Sequence, residues 1–436
     1  MSARLADATM FAHLWGTSAV RAVFEERSRV QGWLDVLAAL ARAQAAHDLV
    51  PSAAAARIGA VVVDDLDLDL VAAHTRATGH STLGVIRALE LVLPAEVHAH
   101  VYVGATVQDV TDTWTSLALR AVLAEVSRDL LAAEDLLLEL AVRHRNTLQV
   151  GRTHGQPGAP ITFGWKAASW ADELRRHLDR LTEGSPRWLV GQLGGGVGTL
   201  AAQGPNGLAV RARFCAELGL ADPGISWLAA RDRVAEIGGF LAMVTGTLAR
   251  IGGEVYELQR PEIGELREGL TAGQVGSITM PHKRNPERSE HLDTLARLVR
   301  AQAGVLLEGM VGGHERDGRS WKAEWIALPE VCLLTSSATS TAVALLAGLE
   351  VDEAAMRRNL TALTGSEKAL ALLTPRLGKH TAQAALQTVL AAGDSFSTLL
   401  NTTELEQLRP DPGQAGAMVD LVVDRARAAR SQQDLR

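Results

Sequence analysis

Between Gly273 and Pro286 the chain reads Gly-Gln-Val-Gly-Ser-Ile-Thr-Met-Pro-His-Lys-Arg-Asn-Pro. Ser277, Thr279, His282, Lys283, Arg284 and Asn285 fall close together, a set of hydroxyl, amide and cationic donors suited to a small anion. The Gly and Pro content keeps the stretch out of a helix interior. Asn285 can cap a helix that starts there, and Pro286 suits a first helical position. Beyond them Leu292, Leu295, Leu298 and Val299 recur at helical spacing. The stretch reads as a loop feeding a helix N-terminus, where free N–H groups and the dipole favour negative charge.

Two further stretches carry similar chemistry. Val103-Gly-Ala-Thr-Val-Gln-Asp-Val-Thr-Asp-Thr113 opens a long helical pattern. Thr106 and Gln108 can donate to a carboxylate, while Asp109 and Asp112 can cap the helix or favour its positive end. Gly151-Arg-Thr-His-Gly-Gln-Pro-Gly-Ala-Pro-Ile-Thr-Phe-Gly164 is a Gly/Pro-rich connection between helices that presents Thr153, His154 and Gln156. A histidine there can carry protons near neutral pH. Arg231-Asp-Arg233 can bind a carboxylate or phosphate through Arg233, or serve as a helix-start ion pair. His314-Glu-Arg-Asp317 is not the His-Glu-x-x-His of a zinc protease, and no Cys/His/carboxylate spacing calls for a metal. Leu193-Gly-Gly-Gly-Val-Gly198 follows no strand pattern, so a dinucleotide loop is not expected.

The elements that must position these groups are long helices. Ala and Leu are abundant, and no proline lies between Pro94 and Pro157 or between Pro286 and Pro329. Helices are expected over 18–49, about 52–63 and 81–93, then 111–146, 160–183, 231–259, 286–310 and 323–349. Helices this far beyond the average of roughly 11–12 residues need partners along their length. The expected class is all-α, with a long central bundle extended by oligomerisation. Blocks at 1–102, 103–349 and 350–436 are expected to be an N-terminal helical domain, the bundle and a small C-terminal helical domain.

Of the 436 residues, 47% are hydrophobic and 21% charged, enough apolar surface for a large core. A net charge of -7 argues against non-specific nucleic-acid binding. Cys215 and Cys332 form no motif, which fits a reducing cytoplasm. With no apolar N-terminal segment and no long uninterrupted apolar run, neither export nor membrane spanning is expected.

The string Gly276-Ser277-x-x-Met280-Pro281-x-Lys283-x-Asn285 resembles the signature of the fumarase/aspartase superfamily, and its Pro-His-Lys-Arg-Asn-Pro form is similar to adenylosuccinate lyase and 3-carboxymuconate cycloisomerase. The Thr106 and His154 stretches resemble the same superfamily, and the likeness covers nearly the whole chain. It implies a homotetramer whose bundles merge, with each site assembled from three subunits and no cofactor. It implies β-elimination on a small anionic dicarboxylate, with Ser277 as base, His154 protonating the leaving group, and Lys283 and Asn285 holding the carboxylate beside the acidic carbon. Thr106, Gln108, Thr153 and Ser81 would bind substrate carboxylates, and His80 would face the substrate.

Subgroup features conflict. Gly194–Ala202 and Trp321-Lys-Ala-Glu-Trp-Ile-Ala-Leu-Pro-Glu330 are most similar to bacterial cycloisomerases, but by that resemblance Trp is expected where His154 stands and His where Pro157 stands. Adenylosuccinate lyase usually has a second His at the Pro157 position and a further hydroxyl beside Thr106. The leading expectation is a C–N lyase releasing fumarate from a succinyl compound, the leaving group being an amine or, as in a nitrosuccinate lyase, nitrite. A lactonising cycloisomerase and an inactive structural tetramer are the alternatives.

Overall fold

A computed structural model describes residues 4–271, 273–360 and 365–433. Five long helices dominate: Val107–Arg143, Phe163–Trp188, Asp232–Gln259, Glu287–Glu308 and Gly318–Ala347. The first has 37 residues, hence a length of roughly 55 Å. Among its buried positions are Leu119, Val122, Val126, Leu130, Ala133, Leu137 and Ala141, all at or below 2% exposure. Their 3-4-4 spacing averages about 3.67 residues per turn, so one nearly straight buried stripe runs from Leu119 to Ala141.

The expected 18–49 helix is two helices, Ser18–Phe24 and Glu26–Ala45, because Glu25 has extended ψ of 150°. Thr17 caps the first through its side chain, and the acidic Glu25 and Glu26 sit at the start of the second, where the dipole favours them. The Gly151–Gly164 connection is not an open loop. It is an antiparallel hairpin, Leu148–Thr153 with Gln156–Thr162, and the only other strand pair among the described residues is Leu266–Arg267 with Glu350–Val351.

The chain forms two compact units. One comprises Met1–Asp129, His177–Leu248 and Thr294–Ser340; the other comprises Leu130–Arg176, Ala249–Asp293 and Thr341–Arg436. The first has a core of Val36, Leu37, Leu40, Val85, Leu89 and Val110, among others. In the second, Arg175 and Arg430 both bond the fully buried Glu134, and a satellite cluster gathers Leu373, Leu386, Phe396 and Leu400. Two helices, Asp232–Gln259 and Gly318–Ala347, are long and apolar enough by length and composition to cross a membrane. Of their most apolar windows 56% and 61% respectively are buried inside the protein, the condition of a core helix packed on its neighbours.

Candidate functional site

In the first unit the candidate groups surround the start of the Val107–Arg143 helix. Thr106 precedes its first residue, and Asp109 reaches back to accept the Thr106 N–H at 2.9 Å, half of a capping box. The same carboxylate accepts from Gln192 Nε2 at 2.9 Å, Gly194 N at 3.0 Å and Gly195 N at 2.9 Å. The glycine-rich 193–198 stretch therefore wraps a protein carboxylate. At Gly194 a Cβ would meet the Gly198 backbone and the Ser226 hydroxyl, both at 2.8 Å, so only glycine allows the wrap. Burial pushes the Asp109 carboxyl up to about 6 against its hydrogen bonds from Gln192, Thr106, Gly195 and Gly194.

Thr106 Oγ1 accepts from Arg316 Nη1 at 2.6 Å. Arg316 belongs to the His314-Glu-Arg-Asp317 string, where the residue types had signalled only the absence of a zinc motif. Its neighbour His314 has φ of 58°, and Tyr102, across the Thr106 group, has φ of 65°. Positive φ in such residues is uncommon outside sites that exploit it. Burial first, then the Asp109 charge, push the Tyr102 phenol up to about 12.

Gln108 faces inward. It is fully buried, and its Nε2 donates to Asp112 Oδ2 at 3.0 Å and to the Leu228 carbonyl at 2.8 Å, leaving no amide N–H for a ligand. Asp112 in turn accepts from Arg231 Nη1 at 2.7 Å and Trp321 Nε1 at 3.1 Å. Arg231 Nε donates to Glu324 Oε1 at 2.9 Å. Of the Arg-Asp-Arg pair it is thus Arg231 that is locked in a buried ion cluster; Arg233 is half-buried, with its Nε lacking a partner among the described residues. His80 is exposed and precedes the Ser81–Val92 helix; Ser81 is half-buried, and its Oγ likewise lacks a partner among the described residues.

In the second unit, Thr153 and His154 stand exposed at the hairpin tip. Thr153 pairs with Gln156, and the two turn residues His154 and Gly155 have φ of 53° and 73°, the signs of a type I′ turn. The hairpin base is held by Glu265, which is fully buried. It takes Arg152 at 2.6 and 3.0 Å, Gln149 at 2.7 Å and Asn359 at 2.7 Å. Burial pulls the Glu265 carboxyl up, but the bonds from Arg152, Asn359 and Gln149 outweigh it and hold the group below its ordinary value.

The 273–286 loop lies in the same unit. Ser277 Oγ accepts the Met280 N–H at 3.1 Å, Lys283 N donates to Met280 O at 2.9 Å, and Asn285 N donates to Gly276 O at 3.3 Å. Ser277 and Asn285 are half-buried and Lys283 is exposed. Gly276 is required here: a Cβ would lie 2.5 Å from Lys283 O and 2.8 Å from Arg284 Cα. Ile278, at the loop's crest, is 94% exposed.

One expectation is corrected. The second and third N–H groups of the helix after this loop are not open to a ligand, because Glu268 already accepts from Arg288 N at 3.1 Å and Ser289 N at 2.8 Å. A protein carboxylate fills the place that the dipole favours for an anion. Among the described residues no group of three His, Cys, Asp or Glu side chains is placed to hold a metal ion.

A family model described as Lyase matches residues 15–301. The chain is 39% identical over 386 residues to N-acetyl-S-(2-succino)cysteine lyase of Dickeya dadantii (strain 3937), covering 88% of this chain and 85% of that one. It is 40% identical over 426 residues to 3-carboxy-cis,cis-muconate cycloisomerase of Pseudomonas aeruginosa, covering 92% and 93%. Among solved structures, 3-carboxy-cis,cis-muconate lactonizing enzyme from Pseudomonas putida superposes with a TM-score of 0.87 at 36% identity, over 96% of this chain and 98% of that one. With the signature loop, the long-helix fold and these matches in agreement, the chain belongs to the fumarase/aspartase superfamily of lyases.

Proposed function

We propose that the protein catalyses β-elimination from a 2-substituted succinate, releasing fumarate or a close enedioate and a heteroatom leaving group. The carrying observation is the closed 276–285 loop, which places Ser277, Lys283 and Asn285 on one short scaffold pinned by the Gly276–Asn285 and Ser277–Met280 bonds. Lys283 and Asn285 hold the carboxylate beside the acidic carbon. Ser277, as alkoxide, takes the proton there, and the electron pair passes through the aci-carboxylate to form the double bond. That dianionic state needs preorganised donors and positive charge. His154, presented by the I′ turn, protonates the departing atom. Thr106 and Thr153 bind the second carboxylate, with Ser81, His80 and Arg233 at its edge and Gln108 acting by positioning Asp112.

In this reading the protein is a homotetramer and each site draws the Thr106, His154 and Ser277 stretches from three different subunits. Exposed apolar side chains on the long helices, including Met243, Leu298, Val305, Trp325 and Ile326, support burial against further copies. The sequential blocks 1–102, 103–349 and 350–436 are part of the same proposal.

The leaving atom is nitrogen, as an amine or nitrite, or sulfur; the sulfur case is supported by the relative named a succinocysteine lyase. The second reading is lactonisation of 3-carboxymuconate, favoured by the cycloisomerase matches and opposed by the resemblance of the Gly151-Arg-Thr-His154 stretch to the C–N lyases. The deciding experiment is ultraviolet absorbance and product mass on nitrosuccinate, aspartate, argininosuccinate, adenylosuccinate, an S-succinylated thiol and 3-carboxymuconate. Fumarate from one succinyl compound supports elimination and names the leaving group; lactone without fumarate overturns it in favour of the second reading.

A further inference from the structure

Arg284 stands between Lys283 and Asn285, and the reaction as described gives it no part. Its guanidinium is committed to the protein. Nη2 donates to Glu350 Oε1 at 2.9 Å and to the Glu268 carbonyl at 2.6 Å, and Nη1 donates to Glu350 Oε2 at 3.3 Å. Two bonds to one carboxylate make a fork, in which an arginine fixes direction as well as distance. Neighbouring Lys283 is exposed and forms no ion pair among the described residues. Of two adjacent cations, one is open to a ligand and the other holds the chain.

The far side of this anchor is itself fixed, and all of it lies in the second unit. Glu350 begins the short strand that pairs with Leu266–Arg267, standing opposite Arg267. Glu268, one residue beyond, is 4% exposed, and its carboxylate accepts from Arg288 N and Ser289 N. The Arg284 main chain has a further tie: its carbonyl accepts from Gln259 Nε2 at 2.9 Å, and Gln259 Oε1 accepts from Glu268 N at 2.8 Å. Side chain and carbonyl of one residue are thus tied to the same two-stranded ledge.

The other arm of the loop has no comparable hold. Gly273, Gln274 and Val275 are exposed, and the tie from this arm to the following helix is Arg288 Nη2 to the exposed Gln274 Oε1 at 3.1 Å. The arms meet where Gly276 presses on Arg284. A Cβ at Gly276 would lie 2.8 Å from Arg284 Cα and 3.2 Å from its Cγ, and Asn285 N donates to Gly276 O at 3.3 Å. Ser277 follows directly. We propose that Arg284 is a positioning residue: its bonds to Glu350 and Glu268 make its main chain a fixed post, which sets where Lys283 and Asn285 stand and against which the Ser277 arm rests. The proposal rests on the reading of Ser277, Lys283 and Asn285 as reacting groups. A post that sets the spacing of groups acting on the transition state governs kcat more than substrate capture.

The test uses the full-length protein and the succinyl compound that it turns over. Arg284→Gln is expected to lower kcat about 100-fold, with KM changed by no more than about two-fold. Arg284→Lys keeps the charge but not the fork, and should lower kcat about ten-fold. Glu350→Gln acts on the pair from outside the loop, leaves the Glu268 bond in place, and should lower kcat about five-fold. The Glu350 side chain is 51% exposed, so salt screens the pair. Between roughly 0.05 and 1 M NaCl the parent kcat should fall towards that of Glu350→Gln, whose own kcat stays flat. A merely structural role would not produce that convergence. Hydrogen exchange gives a readout without turnover: exchange over 276–286 should quicken about ten-fold in Arg284→Gln and Glu350→Gln, with the 148–162 hairpin unchanged. A kcat of Arg284→Gln within about three-fold of the parent, a raised KM at unchanged kcat, or parental exchange over 276–286 overturns the proposal. If Arg284→Gln does not fold, Glu350→Gln decides by the salt and exchange criteria. If no succinyl compound turns over, the elimination reading falls, while exchange still decides whether Arg284 is the post.

Discussion

Gly276→Ala tests the reacting loop by its geometry. The added Cβ would sit 2.5 Å from Lys283 O and 2.8 Å from Arg284 Cα, both backbone atoms that cannot rotate away. To reach ordinary contact at 3.4 Å the two loop arms must part by about 0.9 Å, and Ser277 and Lys283 flank the point of separation. A displacement near 1 Å at reacting groups costs about 10²-fold in rate. The loop is largely exposed and outside the cores, so the strain of about 1–3 kcal/mol is expected to open the loop locally rather than unfold the protein. The assay is kcat on the turned-over succinyl compound beside a thermal melt. The expected result is a fall of about two orders of magnitude in kcat with little change in melting temperature. A kcat within a few-fold of the parent would refute the claim that the pinched loop holds the catalytic serine.

Ser277→Ala should keep the fold and nearly abolish turnover; substantial residual rate would remove Ser277 from the base role. Mixing Ser277→Ala with His154→Ala protein after dissociation should restore activity in mixed tetramers, and verified mixed tetramers without activity would count against shared sites. Glu265→Ala strips the hairpin of its acceptor and leaves half-buried Arg152 and fully buried Gln149 without their carboxylate, so a loss of about 3 kcal/mol is expected in urea unfolding; a change under 1 kcal/mol would deny Glu265 that anchoring role. The Asp109 carboxyl lies above its ordinary 3.8, at about 6, so the folded state holds this proton more tightly than the unfolded one. Its contribution to stability is full below about pH 4 and declines as pH rises through about 6. Urea unfolding across that window should show the decline in the parent and lose it in Asp109→Asn; parallel pH profiles would contradict it.

The 276–285 signature was legible because loop chemistry is local: the Gly, Ser, Lys and Asn types and their spacing state what the backbone can do and which groups it offers. The long helices were legible for a similar reason, since a stripe repeating every three or four residues is visible without knowing its partner. Glu25 was not, because nothing in its residue type announces an extended ψ within a helical pattern. The hairpin at 148–162 was hidden by its Gly and Pro content, which reads equally as an open connection; its pairing depends on Glu265, 116 positions from Gln149.

The sequence by itself determined the chemical class of the chain: the lyase signature, the helical build, the net negative charge and the kinds of side chain offered at each candidate stretch. Only the tertiary structure decided which of those groups are free to act. Gln108 and Arg231 are spent on Asp112, and the helix N-terminus after Asn285 is spent on Glu268. Arg316 joins Thr106 across 210 positions, and four tryptophans from three distant stretches enclose one cavity. The reason is physical. A residue type sets what a side chain can donate or accept, but whether that capacity is already satisfied depends on partners brought near by folding, and sequence distance does not encode them.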